Sequence, residues 1–150
     1  MIFDREMTAT VYIVKDGRVL LHRHKKYNTW FAVGGHLHKD EFPHEAAYRE
    51  VREETGLEIE LISTEAAGDI ELGAVERIPL PFITCREGIG SDTEFFDFIF
   101  IAKAKSCSLC PQDGESRDFR WFSREELLSE NIKIHIKNTA LAVLEKCGNL

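Results

Sequence analysis

A chain of 150 residues with 43% hydrophobic and 30% charged side chains has the composition of a soluble globular protein, and at that length it can bury roughly two thirds of its unfolded surface. No apolar run reaches membrane-spanning length, the start M-I-F-D-R-E-M is acidic where a signal peptide would be basic, and a net charge of −7 disfavours duplex nucleic acid. One domain over residues 1–150, cytoplasmic and without a membrane partner, is therefore expected, since no linker or internal repeat interrupts the chain.

In chain order, residues 8–14 and 18–22 are β-branched or aliphatic runs separated by Lys15-Asp16-Gly17, a strong hairpin signal. Residues 29–33 read as a short strand that feeds Gly34-Gly35. A helix follows, with Pro43 suited to its first turn, Glu45 near its positive end and Gly56 as its left-handed C′ residue. On the helical wheel Ala47, Val51 and Thr55 form an apolar stripe, while Glu45, Arg49 and Arg52 fall on the far side or flank. Ala46 and Ala47 are small enough to leave space for a phosphate chain, or serve only as good helix formers. Residues 58–64 and 70–75 alternate loosely as strands. The run E-F-F-D-F-I-F-I-A over 94–102 is the strongest buried strand, and 116–122 reads as another. Ser123 with Glu126 makes a capping box for a short helix over 124–128. Ile136, Ala140, Val143, Leu144 and Cys147 mark an amphipathic terminal helix. Helices bracketing a mixed sheet give an α/β fold, arranged as an α/β/α sandwich.

The chemistry lies on the first helix. Glu50, Glu53 and Glu54 stand at i, i+3 and i+4, within an arc of about 100°. Like charges at that spacing repel, and carboxylates near a helix C-terminus oppose the macrodipole, so propensity alone does not select the pattern. A bound divalent cation removes both penalties, and a one-sided set of Glu oxygens suits a hard ion such as Mg²⁺.

These residues also carry a resemblance. Gly35, then Glu41 after five residues, then after seven more Arg49-Glu50-Val51-Arg52-Glu53-Glu54-Thr55-Gly56-Leu57, resembles the signature box of the Nudix hydrolases, including the MutT-like members, with every defining position filled. Arg18 to His24, Trp30 and Gly34-Gly35 upstream, with Glu115 and Arg120-Trp121-Phe122 downstream, are similar to what surrounds that box in the family. Val33 and Asp40 depart from the usual Pro and Gly, but neither change removes a ligand. The resemblance implies a Nudix-type α/β/α sandwich and a nucleotide pyrophosphatase or diphosphatase. It would split a phosphoanhydride of a nucleoside triphosphate, nucleotide sugar or dinucleotide by water attack at phosphorus. It implies Mg²⁺, with Mn²⁺ as a substitute, held by Glu53, Glu54, the Gly35 carbonyl and Glu115. Glu50 would act as ligand or general base, and Arg49 would orient the Glu side chains. Arg23 could grip a phosphate, against the plainer reading of an exposed strand arginine. The partner expected is a small nucleotide-type diphosphate, and the resemblance leaves room for a homodimer.

Five histidines, His22, His24, His36, His38 and His44, crowd the segment before and into the helix, but no zinc-type spacing accompanies them. Cys107 and Cys110 form a lone C-x-x-C, read as small apolar filler. The alternatives are a non-hydrolytic nucleotide-binding module, which would be expected to have lost one of the helix carboxylates, and an isoprenoid diphosphate isomerase, which would want a reactive cysteine near Gly34-Gly35 in sequence. The Pro or Tyr that marks some Nudix subclasses is absent from Leu72-Gly73-Ala74-Val75. A base-stacking residue would have to come from Tyr27, Trp30 or Phe82, each of which also reads as packing.

Overall fold

In the computed structural model, which describes residues 4–24, 27–63, 67–106, 108–109 and 118–148, the first two strands form the expected hairpin. β1 (Asp4–Lys15) and β2 (Arg18–His24) pair antiparallel from Lys15↔Arg18, and Asp16 and Gly17 turn between them at φ 51° and 73°. Positive φ at both central residues is the geometry whose twist matches the flanking strands.

β1 organises the sheet. From Asp4 to Val14 it runs parallel to β7 (Thr93–Ala104), while on its other edge it pairs first with β4 (Val33–His36) and then with β2. β3 (Thr29–Phe31) and β8 (Asp118–Phe122) both pair with β2, and β5 (Ile59–Ile62) and β6 (Ile83–Glu87) pair in succession with β7. Three helices complete the order: α1 (Pro43–Thr55), α2 (Arg124–Ser129) and α3 (Ile134–Cys147).

The single strand expected over 29–33 is two strands. The chain changes partner at Ala32, from β2 to β1, and Gly34-Gly35 lie within β4. Residues 70–75 form no strand: Ile70, Leu72 and Val75 are 53%, 36% and 68% exposed, and Gly73 turns at φ 58°. Alternation there meets no partner edge. The strand in this part of the chain is instead β6, whose I-T-C-R-E sequence gives little apolar signal.

Period-2 alternation splits the apolar residues between two cores. Ala9, Val11, Ile13, Phe100 and Ala102 pack under α1, and Tyr12, Val14, Ile99 and Ile101 pack under α2 and α3. Sheet and helices thus make the expected three layers. Ala46 and Ala47 are fully buried in the first core, so they leave no room for a phosphate chain and serve close helix-to-sheet packing. Ser123 caps α2 as expected, accepting from the Glu126 N–H at 3.2 Å while its own N–H donates to Glu126 Oε1 at 3.1 Å. Glu115, Cys107 and Cys110 lie outside the described residues. No helix among the described residues is long and apolar enough to cross a membrane.

Candidate functional site

Both ends of α1 are pinned. Pro43 occupies the first turn, the Phe42 N–H donates to Glu45 Oε1 at 2.9 Å, and Gly56 at φ 71° closes the last turn with its N–H on Arg52 O. Thr55 adds a buried bond from its hydroxyl to Val51 O at 2.6 Å and accepts from the Leu57 N–H at 3.0 Å. This rigid last turn sets the direction of Glu50, Glu53 and Glu54.

The helix approaches β4 closely. A Cβ on Gly34 would lie 2.3 Å from Ala9 O, and one on Gly35 would lie 2.4 Å from Glu50 Oε1. The first contact is with β1 backbone and admits only glycine at 34, whereas the second is with the tip of Glu50, which any side chain at 35 would displace. Glu54, 4% exposed, accepts the Gly34 N–H at 3.0 Å, which ties the helix to the sheet through one of the three carboxylates.

Arg49, which the helical wheel puts on the far side or flank, reaches back over the carboxylates. It is the hub of the acidic face, with its side chain 13% exposed. Nε and Nη2 bind Glu41 at 2.6 and 2.9 Å, Nη1 binds Glu50 at 2.9 Å and Glu53 at 3.1 Å, and Nη2 also reaches the His36 carbonyl at 2.9 Å. A planar guanidinium supplies these bonds, and a lysine could not. The hydrogen bond from Arg49 holds the Glu41 carboxyl well below the usual range, at about 2, helped by the His38 N–H at 2.8 Å. The same bond raises the pKa of Arg49.

A carboxylate depressed in this way stabilises the fold above its unfolded pKa, and that stability is lost as pH falls through the folded value. Chemical denaturation at a series of pH values is therefore expected to show stability falling from about pH 4.5 towards about 2. Glu41→Gln should be less stable than the parent at pH 7 and should lose less across that window. An unchanged slope in the variant would assign the acid loss to other carboxylates.

Among the described residues no three His, Cys, Asp or Glu side chains converge to hold a metal ion. The reason is visible in the pairing: Glu50 and Glu53 turn to Arg49, and Glu54 turns to the Gly34 N–H. The donor set still fits a hard divalent cation, being made of carboxylate oxygens on one helix face against a strand whose glycine leaves room for them. Histidine takes other partners: His22 Nε2 meets Ala32 O at 3.2 Å, His36 pairs with Glu6, and His38 Nδ1 lies 3.8 Å from Glu41.

Arg23 pairs with Asp118 at 3.0 Å and lies 5.6 Å from the Trp30 ring centroid, with both charged side chains about half exposed. Of the three aromatic candidates, Tyr27 lines a cavity beside the acidic face, whereas Trp30 meets Phe122 edge-on at 4.9 Å and Phe82 packs on the second core. That cavity, about 340 Å³, is lined by Gly34, Gly35 and Glu54 and also by Glu87 and Asp97. A second, of about 400 Å³, shares Thr10, Phe31, Glu87 and Asp97 with it and extends to Tyr12, His135 and Thr139. Glu87, Asp97 and this cleft were not legible as a site in the sequence, where Asp97 is one acid inside an apolar strand. Cys85 also lines the second cavity, although it is far from Gly34-Gly35 in sequence. Burial pushes its thiol up, with Glu87 and Asp97 adding to the shift, which is the reverse of what a reactive thiol needs.

Comparison with known proteins agrees with this architecture. The family model described as the NUDIX domain matches residues 4–142. An RNA pyrophosphohydrolase of Xylella fastidiosa (strain Temecula1 / ATCC 700964) is 31% identical over 123 residues, which cover 79% of this chain and 64% of that protein. Phosphatase NudJ of Escherichia coli (strain K12) is 33% identical over 101 residues, covering 66% and 54%. The chain thus spans a little under two thirds of one curated relative and about half of the other. The crystal structure of a NUDIX-family hydrolase from Clostridium perfringens superposes with a TM-score of 0.82 at 30% identity, covering 97% of this chain and 99% of that one.

Proposed function

This chain belongs to the NUDIX-domain family, and from that premise we propose that it is a Mg²⁺-dependent hydrolase of nucleotide-type diphosphates. The observation that carries the reading is the clustering of Glu50, Glu53 and Glu54 on one turn of α1, with Glu50 against Gly35, Glu54 bound to the Gly34 N–H and lining a cleft, and Glu53 held with Glu50 by Arg49. The relatives' names, pyrophosphohydrolase and phosphatase, support it.

In this reading Glu53, Glu54 and the Gly35 carbonyl would hold the cation, with Glu115 as a further ligand and Mn²⁺ as a substitute ion. When bound, the cation neutralises phosphate charge and acidifies water. Glu50, pressed against Gly35 and steadied by Arg49, receives the proton of the attacking water. Arg49 orients Glu50 and Glu53 together, and Glu41 anchors Arg49 from the loop before the helix. Arg23 would exchange Asp118 for a substrate phosphate. A binding module on this fold would hold the substrate without turning it over, and the intact carboxylate set favours turnover instead.

The test is hydrolysis of nucleoside triphosphates, nucleotide sugars and dinucleotides in ¹⁸O-labelled water. The label is expected in a phosphate-containing product, with sugar and base fragments unlabelled. Label in the organic fragment would mean cleavage at carbon. Binding without any product would leave the non-hydrolytic module standing.

A further inference from the structure

A buried acidic pair lies outside this mechanism. Asp97, 2% exposed, sits on the sheet face that also carries Cys85 and Ile99. Thr8 Oγ1 donates to its Oδ1 at 3.0 Å, and Thr10 Oγ1 reaches Oδ1 and Oδ2 at 2.9 Å. Across the ladder, Glu87 of β6 is hydrogen-bonded to it. Burial pushes Asp97 up to about 7, and the bond and charge of Glu87 add to the effect. Burial and the neighbouring Glu87 thus favour the protonated form of Asp97.

The pair stands in the wall common to both cavities. The first cavity reaches Glu54 and Gly35, where a diphosphate would sit, and it shares Glu87 with the second, so a group linked to the diphosphate has the second cavity within reach. At about 400 Å³ the second cavity is within the range of small-molecule sites. Tyr12, Phe31, Ile99 and Ile136 give it apolar walls that accept the body of a ring. Carboxyl oxygens in such a wall attract N–H or O–H donors, while Arg86 on the same wall is paired with Glu94 at 2.6 Å. Asp97 is too enclosed to meet a ligand directly. Half-buried Glu87 is the group that faces the cavity.

We propose that Glu87 is the specificity-determining contact for the non-phosphate end of the substrate. It selects a group that presents N–H or O–H donors, a base ring or a sugar; Asp97 is its positioning residue. This rests on the hydrolase reading for the location of the phosphates.

The experiment is equilibrium binding, followed by NMR, of adenosine, guanosine, cytidine, uridine and glucose to the full chain without metal. At least one probe is expected to bind the parent protein at millimolar concentration or below. Nucleosides against glucose distinguish a base from a sugar as the recognised group. Glu87→Ala should weaken binding at least tenfold, and Glu87→Gln, which keeps an acceptor oxygen, should restore part of it. Asp97→Asn, which retains an acceptor for Thr8 and Thr10, should also weaken binding, by freeing Glu87. Binding unchanged in Glu87→Ala overturns the assignment, as does failure of every probe to bind the parent. Loss of Mg²⁺ affinity in Glu87→Ala with probe binding intact also overturns it, by making Glu87 a metal ligand. Because neither phosphate nor metal takes part, absence of hydrolysis would sink the enzymatic reading and leave this measurement standing, whereas hydrolysis with unaltered probe binding would sink only the subsite.

Discussion

Glu54→Gln is expected to lower kcat/KM for Mg²⁺-dependent hydrolysis by about 10²–10³-fold, the scale on which loss of one preorganised charged or polar group acts. Glutamine keeps an oxygen that can accept the Gly34 N–H now bound at 3.0 Å, so the helix stays docked on β4. Removing one of three crowded charges also relieves repulsion on the helix face. Melting without metal should therefore change little. The readout that isolates the metal is the gain in stability on adding Mg²⁺. A ligand of the folded state alone contributes about 2.7 kcal/mol at a hundredfold excess over its Kd, and that increment should appear in the parent and shrink in Glu54→Gln. Glu50→Gln should show the reverse split, with turnover lost and most of the Mg²⁺ increment kept. If the two variants lose the increment equally, Glu50 is a ligand and the proton acceptor must be sought elsewhere. Turnover at the parent rate in Glu54→Gln would remove that residue from the site.

Elements governed by local rules could be read from the sequence. Pro43, Gly56 and the i, i+3, i+4 carboxylates define α1 within one stretch of chain, and Asp16-Gly17 and Ser123-Glu126 act on their immediate neighbours. What escaped depends on residues distant in sequence. Nothing around Ala32 says that the chain must leave β2 for β1 there, because the partner edge is made by residues 8–11. Ile70, Leu72 and Val75 alternate as a strand should, yet the free edge of β7 is taken by β5 and β6. The helical wheel correctly puts Arg49 one turn from Glu53. It cannot show that Glu41, eight residues earlier and in a loop, draws the guanidinium over the acidic face. The same limit hid the cleft: Asp97 gains its character from Thr8, Thr10 and Glu87, none of them near it on its own strand.

Arg49→Ala is expected to be the most damaging single change to stability on the acidic face. The guanidinium is mostly buried, and it binds Glu41, Glu50 and Glu53 together with a backbone carbonyl. Removing one partner of such a group leaves carboxylates crowded without compensation, a loss of about 3 kcal/mol on the scale of broken buried pairs. Arg49→Lys keeps the charge but offers one compact donor where a fork is needed, so it should fall between the parent and the alanine variant. The pH dependence tells this account from a simple packing defect. In the parent, Arg49 depresses the Glu41 pKa, and stability is lost as pH falls from about 4.5 towards about 2. Without Arg49 the bond that depresses Glu41 is gone, so the variant should lose less stability across that window. Denaturation of the two proteins at pH 7 and about pH 3 reads this directly: the gap between them should narrow at the lower pH. A gap of constant size would mean that Arg49 contributes by filling space, and that the acidic face tolerates its own charge.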